Sequence, residues 1–122
     1  MNWRVEFHRD FVPEFLALAE AVQDEIAALV EKMRVIGPTM KRPASDTLDG
    51  SRFSNMKELR FDVENGAWRV AYAFDPTRKA ILLVAGNKSG TSQRRFYKSL
   101  IRKADERFAE HLEELEKTRK KK

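Results

Sequence analysis

Hydrophobic and polar positions alternate from Trp3 to His8, with Trp3, Val5 and Phe7 set against Arg4, Glu6 and His8. That is the two-residue period of a strand with one buried face. The period then lengthens: Phe11, Phe15, Leu18, Val22, Ile26, Leu29 and Met33 recur at three- and four-residue spacing, the stripe of an amphipathic helix. Asp10 is placed to cap it, Pro13 is tolerated in its first turn, and Gly37-Pro38 stops it. The spacing fits one long helix and equally a helical hairpin broken near Glu20.

From Gly37 to Asn55 no periodicity survives, and Pro, Ser, Thr, Asp and Gly accumulate, which predicts a long loop of the kind that often carries function. Alternation resumes in MKELRFDV and WRVAYAF on either side of Asn65-Gly66, a strong hairpin signal. A two-residue Asn65-Gly66 turn would place Val63 opposite Trp68, Phe61 opposite Val70 and Leu59 opposite Tyr72. One face is then apolar, and the other carries Glu58, Arg60, Asp62 and Arg69 beside Ala71 and Ala73. After a second turn at Asp75-Pro76-Thr77-Arg78, the unbroken apolar run Ala80 to Ala85 predicts a strand covered on both faces, so helices should wall at least one side of the sheet. Gly86 to Gly90 reads as a flexible turn. A last helix should start near Thr91 or Ser92 and run towards Glu116, with Tyr97, Leu100, Ile101, Ala104, Phe108, Leu112 and Leu115 as its apolar stripe. The pattern is that of an α+β domain with a mostly antiparallel sheet.

At 122 residues a single domain is expected, here residues 1–116, followed by a basic and disordered tail at 117–122. No apolar stretch approaches a membrane span and no apolar segment follows the first charges, so a cytoplasmic protein is expected. The absence of cysteine excludes disulfides and thiolate chemistry. The net charge of +5 is concentrated in the tail, because Lys117, Arg119, Lys120, Lys121 and Lys122 alone supply five charges and the remaining 19 basic residues balance 19 acidic ones. Within that balanced body the charge is segregated. Met1 to Ile36 holds four basic and seven acidic residues, whereas Glu64 to Lys103 holds nine basic residues against two acidic ones. Such a patch, more than the total, steers a polyanion.

Candidate chemistry narrows quickly. His8 and His111 are the only histidines, and neither sits at a ligand spacing, so no metal site is expected. No glycine-rich nucleotide motif or nucleophile elbow is present, and no cofactor is expected. What remains is a set of cations on adjacent strands and at a helix start: Lys57, Arg60, Arg69, Lys88, Arg94, Arg95 and Lys98, with Tyr97 among them. Basic residues in a first helical turn oppose the helix dipole, a cost that points to a bound anion. RNA carries its own nucleophile in the 2′-hydroxyl. A protein that cleaves it needs only geometry, a proton acceptor or donor, and positive charge over the phosphate. The competing reading is structural, with Arg60 and Arg69 as cross-strand ion-pair partners of Asp62 and Glu58. Tyr97 lies on the apolar stripe of its helix, which leaves a core role open beside a catalytic one.

The stretch MKELRFDVENGAWRVAYAFDPTRKAILLVAGNKSG, followed by RFYKSLIRKADERFAEHL, resembles the phage-derived branch of the RelE/HigB toxins of type II toxin–antitoxin systems. The most specific pieces are the KELR strand, the W-R-V-x-Y-x-F strand and the apolar strand ending in a lysine-bearing turn. The resemblance implies a strand, two helices, a mostly antiparallel sheet and a C-terminal helix, with RNA held on the open sheet face. It implies an endoribonuclease that cuts mRNA on the ribosome without a metal, and a helix-turn-helix, HigA-like antitoxin as partner. Arg69 then matches the arginine on the scissile phosphate, Lys57, Arg60 and Lys88 the neighbouring basic positions, and Tyr97 the stacking or proton-handling residue. Arg94, Arg95, Lys98 and Arg102 would bind RNA. The turn here reads Asn87-Lys88-Ser89 where many relatives carry paired lysines, and the histidines of some HigB toxins are missing. Lys57 and Glu58 remain as general-base candidates. Two other functions fit the same fold: a ParE-like gyrase inhibitor, and a non-catalytic RNA- or ribosome-binding module.

Overall fold

The computed structural model of the chain describes residues 2–120. Five strands build one sheet in the order β1-β5-β4-β3-β2: β1 Arg4–Phe7, β2 Ser45–Thr47, β3 Lys57–Val63, β4 Gly66–Phe74 and β5 Lys79–Asn87. β1 runs parallel to β5, and the other pairings are antiparallel. The helices are α1 (Phe11–Leu16), α2 (Glu20–Ile36) and α3 (Gln93–Lys120). The expected α+β architecture is present, and among the described residues no helix is long and apolar enough to cross a membrane.

Strand alternation sorts the side chains into two cores. On one face Phe11, Val22, Ile26 and Met33 of α1 and α2 pack on Leu59, Val70, Tyr72 and Leu82. On the other, Leu100, Ala104 and Phe108 of α3 pack on Ala71, Ala73, Ile81, Leu83 and Val84. Helices therefore wall both sides of β5, as its continuous apolar run required. Leu83 and Val84, though consecutive, both face α3, because the ladder slips between Ala71↔Val84 and Tyr72↔Leu82 and leaves Leu83 as an extra residue.

Several local expectations are corrected. The hairpin turn is Glu64-Asn65, with φ of 49° and 64°, so Val63 pairs with Gly66, Phe61 with Trp68 and Leu59 with Val70. Two consecutive positive φ values are what a tight hairpin with the native strand twist demands. The slip is two residues, so every side chain keeps its expected face. Of the two readings of the helical segment, the pair of helices holds, broken at residues 17–19. There Gln23 Nε2 donates to the carbonyls of Leu16 and Leu18 at 3.2 and 2.9 Å, which satisfies acceptors that the end of α1 leaves open. Asp10 occupies the N-cap position but its side chain makes no capping bond. The aperiodic 37–55 segment contains the short edge strand β2, and α3 continues through Lys120, so residues 117–120 are helical where a disordered tail was expected. Lys121 and Lys122 lie outside the described residues.

Candidate nucleic-acid interface

β3 and β4 present Glu58, Arg60 and Arg69 on the α3 face, and α3 brings Tyr97 over them. The Tyr97 hydroxyl donates to Glu58 Oε1 at 2.9 Å, and Arg69 Nε donates to the Tyr97 oxygen at 3.3 Å. Arg60 Nη1 holds the other oxygen, Glu58 Oε2, at 3.0 Å. Arg60 and Arg69 stand directly opposite each other in the ladder. Like charges there repel, and Glu58 between them offsets the repulsion. Ala71, opposite Glu58, leaves this room. Burial, together with the hydrogen bond to Glu58, raises the Tyr97 pKa, so the phenol stays neutral and acts as a donor.

The two arginines differ in access. Arg60 is 21% exposed and Arg69 6%. Arg69 also commits Nη1 to the Trp68 carbonyl at 2.8 Å. Its Nη2 makes no hydrogen bond among the described residues, where no buried side-chain nitrogen or oxygen lacks a partner. Nη2 is therefore the edge that meets solvent.

Two hollows meet at Arg60. A cleft of about 800 Å³ lies between the sheet edge and the start of α3, walled by Arg42, Asp46, Asp49, Glu58, Arg60, Arg94, Tyr97 and Lys98. A smaller cavity of about 320 Å³ is lined by Arg42, Pro43, Arg60, Phe61, Asp62 and Arg69. Arg42 and Arg60 belong to both. Sequence reasoning missed Arg42, which sits in the aperiodic loop before β2 and pairs with Asp46 at 2.8 Å. Its only sequence signal was membership of a long loop.

The structure brings Glu58, Arg60, Arg69 and Tyr97 together, with Arg94 and Lys98 on the cleft wall. It does not bring Lys57 there. Odd-numbered residues of β3 face the opposite core, and Lys57 Nζ donates to the carbonyls of Pro38 and Met40 at 3.3 and 3.2 Å. Lys88 follows the end of β5, where its backbone N–H bonds the Ala67 carbonyl at 2.8 Å, and lines neither hollow. Arg95 lines a different groove, with Lys103 on the far flank of α3, and Arg102 is exposed outside the cleft. Ser92 provides the expected cap, accepting the Arg95 N–H at 3.2 Å. The Tyr97 ring packs in the α3 core while its hydroxyl joins the polar group.

Both histidines are engaged in structure. His111 Nε2 lies 2.7 Å from Asp75. The fold gathers His8, Asp10 and Glu110, a carboxylate–histidine group that the sequence spacing did not reveal. His8 Nδ1 accepts the Asp10 N–H at 3.1 Å, so the neutral ring carries its proton on Nε2, 3.2 Å from Glu110. Burial lowers the His8 pKa and favours this neutral form. The group thus turns a proton towards the carboxylate, and a metal ion would have to displace it.

Residues 13–109 match the family described as phage-derived protein Gp49-like. HigB2 of Mycobacterium tuberculosis, a protein named as a toxin, is 44% identical over 97 residues, which are 79% of this chain and 48% of HigB2. The chain therefore spans about half the length of that relative. HigB3 of the same organism, also named as a toxin, is 39% identical over 76% of this chain and 79% of its own length. In three dimensions the chain is similar to a mutant of the Escherichia coli toxin RelE in the free state, with a TM-score of 0.58 at 12% identity over 83% of this chain and 95% of that one. The archaeal RelE–RelB complex from Pyrococcus horikoshii contains a chain similar at a TM-score of 0.53 and 14% identity, over 75% of this chain and 100% of that one. At those identities the solved structures speak for the fold, while the sequence relatives speak for the family. The chain belongs to the phage-derived Gp49-like family, is related in sequence to proteins named HigB and has the fold of RelE.

Proposed function

We propose that this protein is the toxin of a type II toxin–antitoxin system and cuts mRNA, on the ribosome and without a metal, to stop translation. The observation that carries this reading is the Glu58 carboxylate, held on one oxygen by Tyr97 and on the other by Arg60, where two arginine-lined hollows meet. In this reading Glu58 takes the 2′-hydroxyl proton as that oxygen attacks the adjacent phosphorus. The P–O5′ bond breaks, leaving a 2′,3′-cyclic phosphate and a 5′-hydroxyl, whose proton comes from water in the open cleft. Arg60 and the free Nη2 of Arg69 face the non-bridging oxygens, where charge grows in the transition state. The phosphate contact expected of Arg69 alone is thus shared, with Arg60 the more accessible partner and Tyr97 orienting Glu58. Arg94 and Lys98 hold the strand along the cleft. A small antitoxin of helix-turn-helix, HigA-like type would silence the protein by covering this basic surface.

The test is induction of the protein in a bacterium with mapping of mRNA 5′ ends. Wild type should arrest growth and produce defined ends bearing 5′-hydroxyls. Glu58→Gln and Arg60→Ala should each reduce those ends by roughly 100-fold or more while remaining folded. Growth arrest with DNA-damage signalling and intact mRNA would instead indicate gyrase inhibition.

A further inference from the structure

The smaller cavity has a composition that phosphate binding alone does not explain. Three of its six lining residues are arginines, yet Asp62 sits among them, exposed, and neither accepts a hydrogen bond nor joins an ion pair among the described residues. Arg42 and Arg60 already have carboxylate partners in Asp46 and Glu58. Pro43 supplies apolar surface beside them, while the Phe61 ring packs towards the opposite core. β2 pairs only with residues 57–59 of β3, and the last bond along that edge is Arg60 N–H to the Ala44 carbonyl at 2.9 Å. The sheet edge at Asp62 is therefore uncovered, and its carboxylate stands at the mouth of a hollow of about 320 Å³, room for one nucleotide.

We infer that this cavity is a base-reading subsite for the nucleotide next to the cleaved phosphate, with Asp62 as the residue that sets base preference. The inference rests on the RNA-cleaving reading above. A strand whose phosphate lies over Arg60 has one neighbouring nucleotide in the large cleft and the other in this cavity, since Arg60 walls both. There the base stacks between the Arg42 guanidinium and Pro43, a contact that every base offers. A carboxylate discriminates differently. It only accepts, so it favours a base edge that donates, and guanine presents two adjacent N–H groups to its two oxygens. Uracil presents one N–H between two carbonyls, which the carboxylate repels. Asp62 selects, and Arg42 supplies affinity.

Two measurements separate this proposal from the reading beneath it. One is the base distribution around mapped mRNA ends in cells expressing wild type, Asp62→Asn or Arg42→Ala. The other is binding of a labelled ten-nucleotide oligouridine RNA, with and without one central guanosine, by fluorescence anisotropy. Both positions are exposed, and thermal melting checks that each variant folds. Wild-type ends should be enriched in guanosine at one fixed position beside the cut, and the guanosine oligomer should bind roughly fivefold tighter or more. Asp62→Asn should lose both preferences, with cleavage at guanosine sites falling by a similar factor and other sites cut as before, whereas Arg42→Ala should weaken both oligomers together. Retained cleavage with an unchanged base distribution in Asp62→Asn would overturn the subsite and leave the nuclease reading intact. Preserved oligomer discrimination without any mRNA ends would do the reverse, and loss of both would remove both.

Discussion

A single carboxylate organises the Tyr97 group and the His111 group, and surroundings decide what it does. Glu58 divides its two oxygens between Tyr97 and Arg60 beside open clefts. Asp75 is closed off: its side chain is wholly buried and accepts from the Thr77 hydroxyl at 2.7 Å, from the Thr77 and Lys79 amides, and pairs with His111. Burial pushes its pKa up, but these bonds outweigh burial and hold it below the ordinary value. A depressed carboxyl contributes stability that is present above its unfolded pKa and lost as pH falls through the folded one. Asp75→Asn should therefore lower unfolding stability at neutral pH by about 1–3 kcal/mol and flatten its fall below roughly pH 4. Urea denaturation at pH 7 and at pH 3.5 measures both. An unchanged acid limb would mean that other carboxylates dominate it.

At the scale of elements, the hairpin between β3 and β4 shows how local chemistry and position can disagree. Asn65-Gly66 is the favoured turn pair, yet the chain turns one residue earlier and forces Glu64 to a φ of 49°. The long glutamate side chain resists that region, whereas asparagine, whose short amide can hydrogen-bond the nearby backbone, tolerates it. Glu64→Asn should raise stability by about 0.5–1 kcal/mol, seen as an increase in Tm, without altering RNA cleavage. A decrease would show that Glu64 makes a compensating contact. The turn matters beyond its own energy, because its placement fixes Arg60 opposite Arg69 and Glu58 opposite Ala71. Both alternatives, the predicted register and the observed one, bury the same face, so burial could not choose between them.

At the scale of the whole molecule, charge and shape converge on one side. α3 carries Arg94 and Lys98 to the rim of the cleft, while its far flank directs Arg95 and Lys103 elsewhere. The double variant Arg94→Ala/Lys98→Ala should weaken single-stranded RNA binding and make it less salt-dependent, by roughly 1.4 in the slope of log affinity against log salt for two lost phosphate contacts. Anisotropy titrations from low to high salt read this directly. An unchanged slope would place the RNA path away from α3. Cleavage positions should stay the same, because neither side chain reaches the Glu58 group.

Periodicity along the chain determined which face each strand residue occupies, which stripe each helix buries and which polar residues remain to do chemistry. The odd position of Lys57 on β3, which turns it away from Glu58, was legible there too, although Lys57 stood among the candidate residues. That information is local, since a side chain's face follows its parity within a strand, except across the bulge at Leu83, or its angle around a helix. What the tertiary structure decided is convergence: Tyr97 over Glu58, Arg42 beside Arg60, and the grouping of His8, Asp10 and Glu110. Arg42 lies in a stretch without periodicity, 18 residues from Arg60, and only the pairing of β2 with β3 sets it there. Such meetings depend on how elements pack across long separations in sequence, where no local pattern records the partner.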